Sequence, residues 1–146
     1  IHCDRQVFGA ALANLIDNAW KYSDNKSTVK VNAIFRKYVQ REYMKILVIN
    51  KGTLIPEDAR DLVFHSGVRL RDATAYNEEG NGLGLANARR DLLRHDCEIK
   101  VASSYRPEEN VFSIRVPQRF LGPTPAHVRK GLYAPRVGED ETGRAK

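Results

Sequence analysis

"DRQVFGAALANLIDNAWKYS", residues 4–23, puts Phe8, Ala11, Leu12, Leu15, Ile16 and Ala19 at helical spacing, with Asp4 in the N-cap position. Turned at about 100° per residue, the apolar set fills one sector, and Asn14, Asn18 and Lys21 fall together on one of its flanks. Tyr22 sits where that flank meets the core, and Trp20 falls on the opposite flank. Two asparagines are a poor choice for a plain helix, because their amides compete for backbone hydrogen bonds. Two readings of the stripe stand. It is the polar edge of a buried face, or it is a ligand wall. In the second reading an amide oxygen suits Mg²⁺, a hard cation that shares its ligands with phosphate and water, and the lysine one turn on neutralises phosphate.

The strands and breaks that follow supply a sheet. "STVKVNAIF" and "YMKILVIN" read as two strands with "RKYVQRE" turning between them, and Pro56 before "EDARDLVF" reads as the start of a short helix. Residues 65–80 lack apolar periodicity and read as a long mobile loop. Next comes "EEGNGLGLANARRD", residues 78–91, with Gly80, Gly82 and Gly84 running into a helix that ends near His95. Glycine inside a helix costs roughly 0.5–1 kcal/mol relative to alanine, so these three require a reason. A flexible loop is one. A backbone that closes on phosphate at a helix N-terminus is the other. "EIKVAS" and "VFSIRV", joined by "SYRPEEN", read as a closing hairpin. The order is helix, two strands, helix, loop, helix, two strands. It predicts an α+β two-layer sandwich, a mixed and mostly antiparallel sheet with helices on one face.

Composition limits the function classes. A length of 146 residues fits one domain, and 42% hydrophobic with 29% charged residues fits a globular protein. No apolar run approaches the roughly 18–20 residues of a membrane span, and no signal peptide is recognisable. Cys3 and Cys97 suit neither a disulfide framework nor a zinc site, which points to a reducing, cytoplasmic setting. The net charge is +6, and residues 118–146 carry six Lys/Arg against three Asp/Glu. Half of the excess is therefore in a Pro-containing segment that reads as a tail or linker, and no basic stripe interleaved with aromatics remains for nucleic acid. The domain is expected over residues 1–117, with the tail over 118–146.

Taken together, "NLIDNAWKYS", "LVINKGTLIPEDARDLVF" and "GNGLGLANARRDLL" resemble, in order, the N box, first glycine box and second glycine box of sensor histidine kinases. Residues 1–117 thus resemble the catalytic ATP-binding domain of these kinases, a member of the GHKL superfamily with the Bergerat-type fold. The resemblance implies ATP and Mg²⁺ as cofactors and Asn14, Asn18 and Lys21 as the catalytic set. Asn18 would be the Mg²⁺ ligand, Asn14 would line the phosphate pocket and Lys21 would meet phosphate. Tyr22 would pack near base or ribose. Asn50, Gly52 and Ile55 would belong to the adenine end, and Gly80, Gly82, Leu83, Gly84 and Leu85 to the phosphate end. Residues 65–80 would form the ATP lid, ordering with nucleotide. Arg69 and Arg71 in that lid are phosphate contacts or solvated arginines.

Departures from the family pattern are informative. The first glycine box usually opens with an aspartate that accepts from the adenine amino group; Asn50 stands there and offers an uncharged acceptor. Leu54 replaces the second glycine of that box and would narrow the backbone's freedom beside the base. Asp96 and Cys97 stand where many relatives have glycines. ATP-hydrolysing relatives carry a glutamate one turn before the metal-binding asparagine to activate water; Asn14 cannot accept a proton, which favours phosphoryl transfer to a histidine. His2, His65, His95 and His127 lack the surroundings of a phosphoacceptor, so acceptor helices are expected before Ile1.

The expected partners are the protein's own dimerisation and phosphoacceptor domain and a response regulator. The full-length protein would be a homodimer and the fragment would contact neither nucleic acid nor membrane. A degenerate module with a regulatory role is the second reading. An anti-sigma serine kinase is the third, and Asn14 counts against it.

Overall fold

The computed structural model describes residues 4–38, 41–70, 82–102, 104 and 106–122. The first helix, α1, spans Arg5–Lys21, and the Asp4 carboxylate caps it by accepting from the Gln6 and Val7 N–H groups at 2.9 and 3.2 Å. Phe8, Ala11, Leu15 and Ala19 form its buried stripe. Strands β1 (Lys30–Tyr38) and β2 (Arg41–Lys51) follow, then α2 (Gly84–Arg94), β3 (Glu98–Ala102) and β4 (Glu109–Pro117). The four strands form one sheet in the order β1-β2-β4-β3, antiparallel at every pairing.

Register sets the core. Residues directly opposite share a face, so Val48 lies between Val31 and Phe112, and Ile46 between Ala33 and Ile114. Ile99 continues the second row and Val101 the first. These rows meet α1 and α2, whose buried residues Leu15, Ala19, Ala88 and Leu92 belong to the same cluster. The expected two-layer fold is the observed one, and the sheet is antiparallel throughout where a mixed one was allowed for. Pairing of β1 with β2 runs on to Tyr38 opposite Arg41, so both strands extend into the stretch expected to turn.

"EDARDLVF" is not one helix. It forms two single 3₁₀ turns, Glu57–Ala59 and Leu62–Phe64. With only Ala59, Val63 and Phe64 buried, the segment has too few anchors to offset the cost of nucleating an α-helix. After β4, a further 3₁₀ turn covers Gln118–Phe120, and Phe120 and Leu121 pack against the core, past the expected boundary at 117. Within the expected tail, residues 123–146 lie outside the described residues.

The exit from α2 explains one departure from the family pattern. The Cys97 N–H donates to the Leu92 carbonyl and the Asp96 N–H to the Leu93 carbonyl, each at 3.0 Å, a Schellman closure with Asp96 at φ +50°. The left-handed region penalises a side chain, and Asp96 also pairs with exposed Arg119. Relief of the first outweighs loss of the second, so Asp96→Gly is expected to stabilise the fold by about 0.5–1 kcal/mol, read as a shift of the urea midpoint.

Candidate functional site

A cavity of about 280 Å³ opens between α1, the ends of β2 and β4, and the start of α2. Its apolar wall comes from Ile55, Val63, Val68, Leu70, Leu85 and Phe112, and its polar groups collect at the two ends. One end is built by α1 and α2. The Asn18 Nδ2 donates to the Asn14 backbone carbonyl at 2.7 Å, which fixes the amide and leaves Oδ1 as its hard acceptor. A side chain at Gly84 would begin 3.5 Å from Asn14 Oδ1 and 3.7 Å from Asn18 Nδ2. Glycine there keeps both amides open to the cavity. Leu83, at the N-cap of α2, has no side chain that could cap the helix, and Gly82 and Gly84 bring the N-terminus of this helix to the cavity.

Lys21 also lines this end, with Asp17 at 2.7 Å one turn earlier on α1. Asp17 is absent from the sequence-based set, although the i,i+4 spacing is legible. Both side chains are substantially exposed, so exchanging the carboxylate for a phosphate costs little. Gly82 holds φ +67°, and a Cβ on it would meet Gly67 Cα at 3.1 Å. The Gly67 N–H donates to the Gly82 carbonyl at 3.2 Å, so the start of the expected lid is tied to the glycine two residues past its expected end. Within that lid, residues 71–80, including Arg71 and Gly80, lie outside the described residues, and Arg69 lines the cavity.

The other end is built by Tyr22, Asn50, Thr53, Ile55 and Asn110. Asn50 is only 2% exposed, and its Nδ2 donates to the Tyr22 carbonyl at 3.4 Å. Gly52 is not on the lining. It bridges to Ser23, and a Cβ on it would fall 1.9 Å from the Tyr22 carbonyl oxygen. Leu83 is likewise off the lining. Leu54 is 48% exposed and off this lining. Trp20, expected on the far flank, is 72% exposed and off the cavity. Sequence reasoning misses Asn110 altogether; its amide binds the backbone of Thr53 and Ile55.

The Asn50 geometry also decides what a charge would do there. An ionised carboxylate in place of this amide would set an oxygen against the Tyr22 carbonyl, and burial would push its pKa up. A group whose folded pKa is raised gives its stability below the unfolded value and loses it as pH rises. Asn50→Asp is therefore expected to destabilise by about 1–3 kcal/mol at neutral pH, with most of the loss recovered in acid, where the protonated carboxyl donates to Tyr22. Urea melts at the two pH values check this.

Residues 3–119 match the family model described as histidine kinase-, DNA gyrase B- and HSP90-like ATPase. The chain belongs to this ATPase family. Its curated relatives include the adaptive-response sensory kinase SasA of Prochlorococcus marinus, 33% identical over 103 residues, which are 70% of this chain and 26% of that protein. The sensor histidine kinase Hik2 of Thermosynechococcus vestitus is 31% identical over 119 residues, 80% of this chain and 29% of that protein. Among solved structures, a mycobacterial sensor histidine kinase, MprB, superposes with a TM-score of 0.66 at 26% identity, covering 79% of this chain and 72% of that one. The catalytic domain of histidine kinase ThkA gives 0.62 at 23% identity over 79% and 69%, which speaks for the fold alone. The chain spans 25–26% of the length of the first two curated relatives it matches. None of the helices among the described residues is long and apolar enough to cross a membrane.

Proposed function

We propose that this member of the ATPase family is the ATP-binding catalytic domain of a two-component sensor histidine kinase, delivering the γ-phosphate of Mg·ATP to a histidine on a separate domain. One observation carries the reading. Asn14 and Asn18, one turn apart on α1, face the glycine that opens α2, and both are amides. A hydrolase needs a base at the first of these positions to take a proton from water, and an amide takes none at neutral pH. A kinase needs only position and charge balance, because its nucleophile comes from elsewhere.

The donor set fits the substrate. Asn18 Oδ1 is a hard oxygen of the kind Mg²⁺ takes, and Asn14 and Lys21 flank the place for phosphate beside the N-terminus of α2. Among the described residues no group of three or more His, Cys, Asp or Glu could hold a metal, so the cation would share its coordination with phosphate and water. When bound, Mg²⁺ balances the charge of the phosphates. The protein residues hold and orient them: Lys21 by charge, Gly82 and Gly84 by letting backbone come close, and Arg69 as a further cation at the rim. Asn50 would accept from the adenine amino group, with Ile55 and Tyr22 against the base or ribose and Gly52 keeping the Tyr22 backbone close.

This reading implies a dimerisation and phosphoacceptor domain and a response regulator as partners, a homodimeric full-length protein, and a cytoplasmic site of action. Titration with a fluorescent ATP analogue, with and without Mg²⁺, followed by transfer to a supplied histidine-acceptor domain, tests it. Metal-dependent binding and acid-labile label on the acceptor are expected. A folded chain that binds no nucleotide would overturn the kinase reading in favour of a regulatory module.

A further inference from the structure

On the helix-facing side of the sheet, the paired rows Met44–Val116, Ile46–Ile114 and Val48–Phe112 are apolar. The next pair is Asn50–Asn110, at the edge of the cavity, with both residues 5% exposed or less. The two amides are used differently. Asn50 gives its Nδ2 to Tyr22, and among the described residues no donor reaches its Oδ1. Asn110 commits both ends to one loop: its Oδ1 accepts from the Ile55 N–H at 2.9 Å, and its Nδ2 donates to the Thr53 carbonyl at 2.8 Å. Two bonds from one planar group to two successive peptide units fix the loop in both height and rotation.

Beyond these bonds, Ile55 packs against the edge of the core. A second hollow of about 110 Å³ lies across the same wall, lined by Leu54, Val101 and Pro107 as well as by Ile55 and Asn110 themselves. Thr53 lines the main cavity, and Ile55 lies between the two hollows, so the loop has space on that side into which it could move.

We propose that Asn110 is a positioning residue for base selection: it holds the Thr53–Ile55 loop so that a base lies edge-on to Asn50 Oδ1. The proposal rests on the reading of the main cavity as the ATP site. An acceptor at Asn50 matches an exocyclic amino group and opposes a carbonyl oxygen at the same edge, so it favours adenine over guanine. Hydrogen bonds weaken steeply with misalignment, so that preference lasts only while the opposite wall is fixed. Without Asn110 the loop can shift into the hollow and the base can tilt away.

Dissociation constants for Mg·ATP and Mg·GTP are to be measured on the full chain and on Asn110→Ala, Asn110→Asp and Val111→Ala. Val111 is buried one residue along the same strand and lines neither cavity, so its truncation reports general loosening. The ATP-over-GTP preference should fall at least tenfold in Asn110→Ala, through weaker ATP binding, and stay within twofold of wild type in Val111→Ala. Asn110→Asp keeps the acceptor for Ile55 but turns an oxygen on the Thr53 carbonyl, so it should lose the preference even if the alanine variant fails to fold. Faster amide exchange at Ile55 should accompany the loss. An unchanged preference in the folded Asn110 variants, or an equal loss in Val111→Ala, overturns the role while ATP binding by wild type stands. A wild-type chain that binds neither nucleotide overturns the ATP-site reading and this role together.

Discussion

Asn18→Ala is expected to abolish the Mg²⁺-dependent part of ATP binding and, with it, transfer to an acceptor histidine. The amide oxygen is the hard ligand that the proposed Mg²⁺ site takes from α1, and the amide is held by the 2.7 Å bond from Nδ2 to the Asn14 carbonyl. Loss of groups that merely orient a metal ligand typically costs 10–100-fold in affinity, so removal of the ligand itself should cost about a hundredfold or more. Stability should change little. The side chain is half-buried at the cavity rim, its only described bond is to its own helix, and alanine is the better helix former. Calorimetric titration with and without Mg²⁺, beside a urea melt, separates the two effects. Retention of metal-dependent binding by the folded variant would remove Asn18 from the site.

The largest effect on the fold is expected from Gly52→Ala. A methyl group at residue 52 would fall 1.9 Å from the Tyr22 carbonyl oxygen and 2.9 Å from its carbon, and neither is the movable tip of a side chain. Relief requires the end of β2 to part from the end of α1. That movement breaks the 2.8 Å bond from the Asp24 N–H to the Lys51 carbonyl and separates Asn50 from Tyr22. Overpacking a well-filled interior costs roughly 1–3 kcal/mol, and a backbone clash this close should reach or exceed the upper value. Urea denaturation reads the loss directly. Nucleotide binding should fail under conditions where the variant is still folded, because the base end is built on the displaced contact. An unaltered midpoint would mean that the two chain segments do not meet as described.

What the sequence made legible was local or periodic. The capped helix with Asn14, Asn18 and Lys21 on one flank follows from 3.6-residue spacing, and the structure brings the three to one cavity. Strand positions followed from alternation, although their ends did not, because the β1–β2 pairing continues through polar residues such as Arg36 and Glu42 that carry no strand signal. Contacts between segments distant in the chain were invisible. Gly52 meets Tyr22 across 30 residues, and Asn110 reaches its loop across more than 50. Nothing near either residue marks the partner. The family pattern drew attention to the backbone at Leu54, but facing direction in a loop obeys no two-residue period, so the place of its half-exposed side chain off the main cavity was not legible. Asp17 was within reach, since acid and lysine stand four apart on one helix face.

The last turn of α1 has a thermodynamic consequence. Asn18 and Tyr22 stand four residues apart, so about 6 Å of one helix separates the proposed metal ligand from the carbonyl that holds Asn50 and abuts Gly52. A displacement of that turn would be felt at both ends at once, so under the proposed function cation and base are expected to bind as coupled events. Linkage is reciprocal: whatever factor the metal adds to nucleotide affinity, the nucleotide adds to metal affinity, and part of that shared coupling energy passes through a single helical turn.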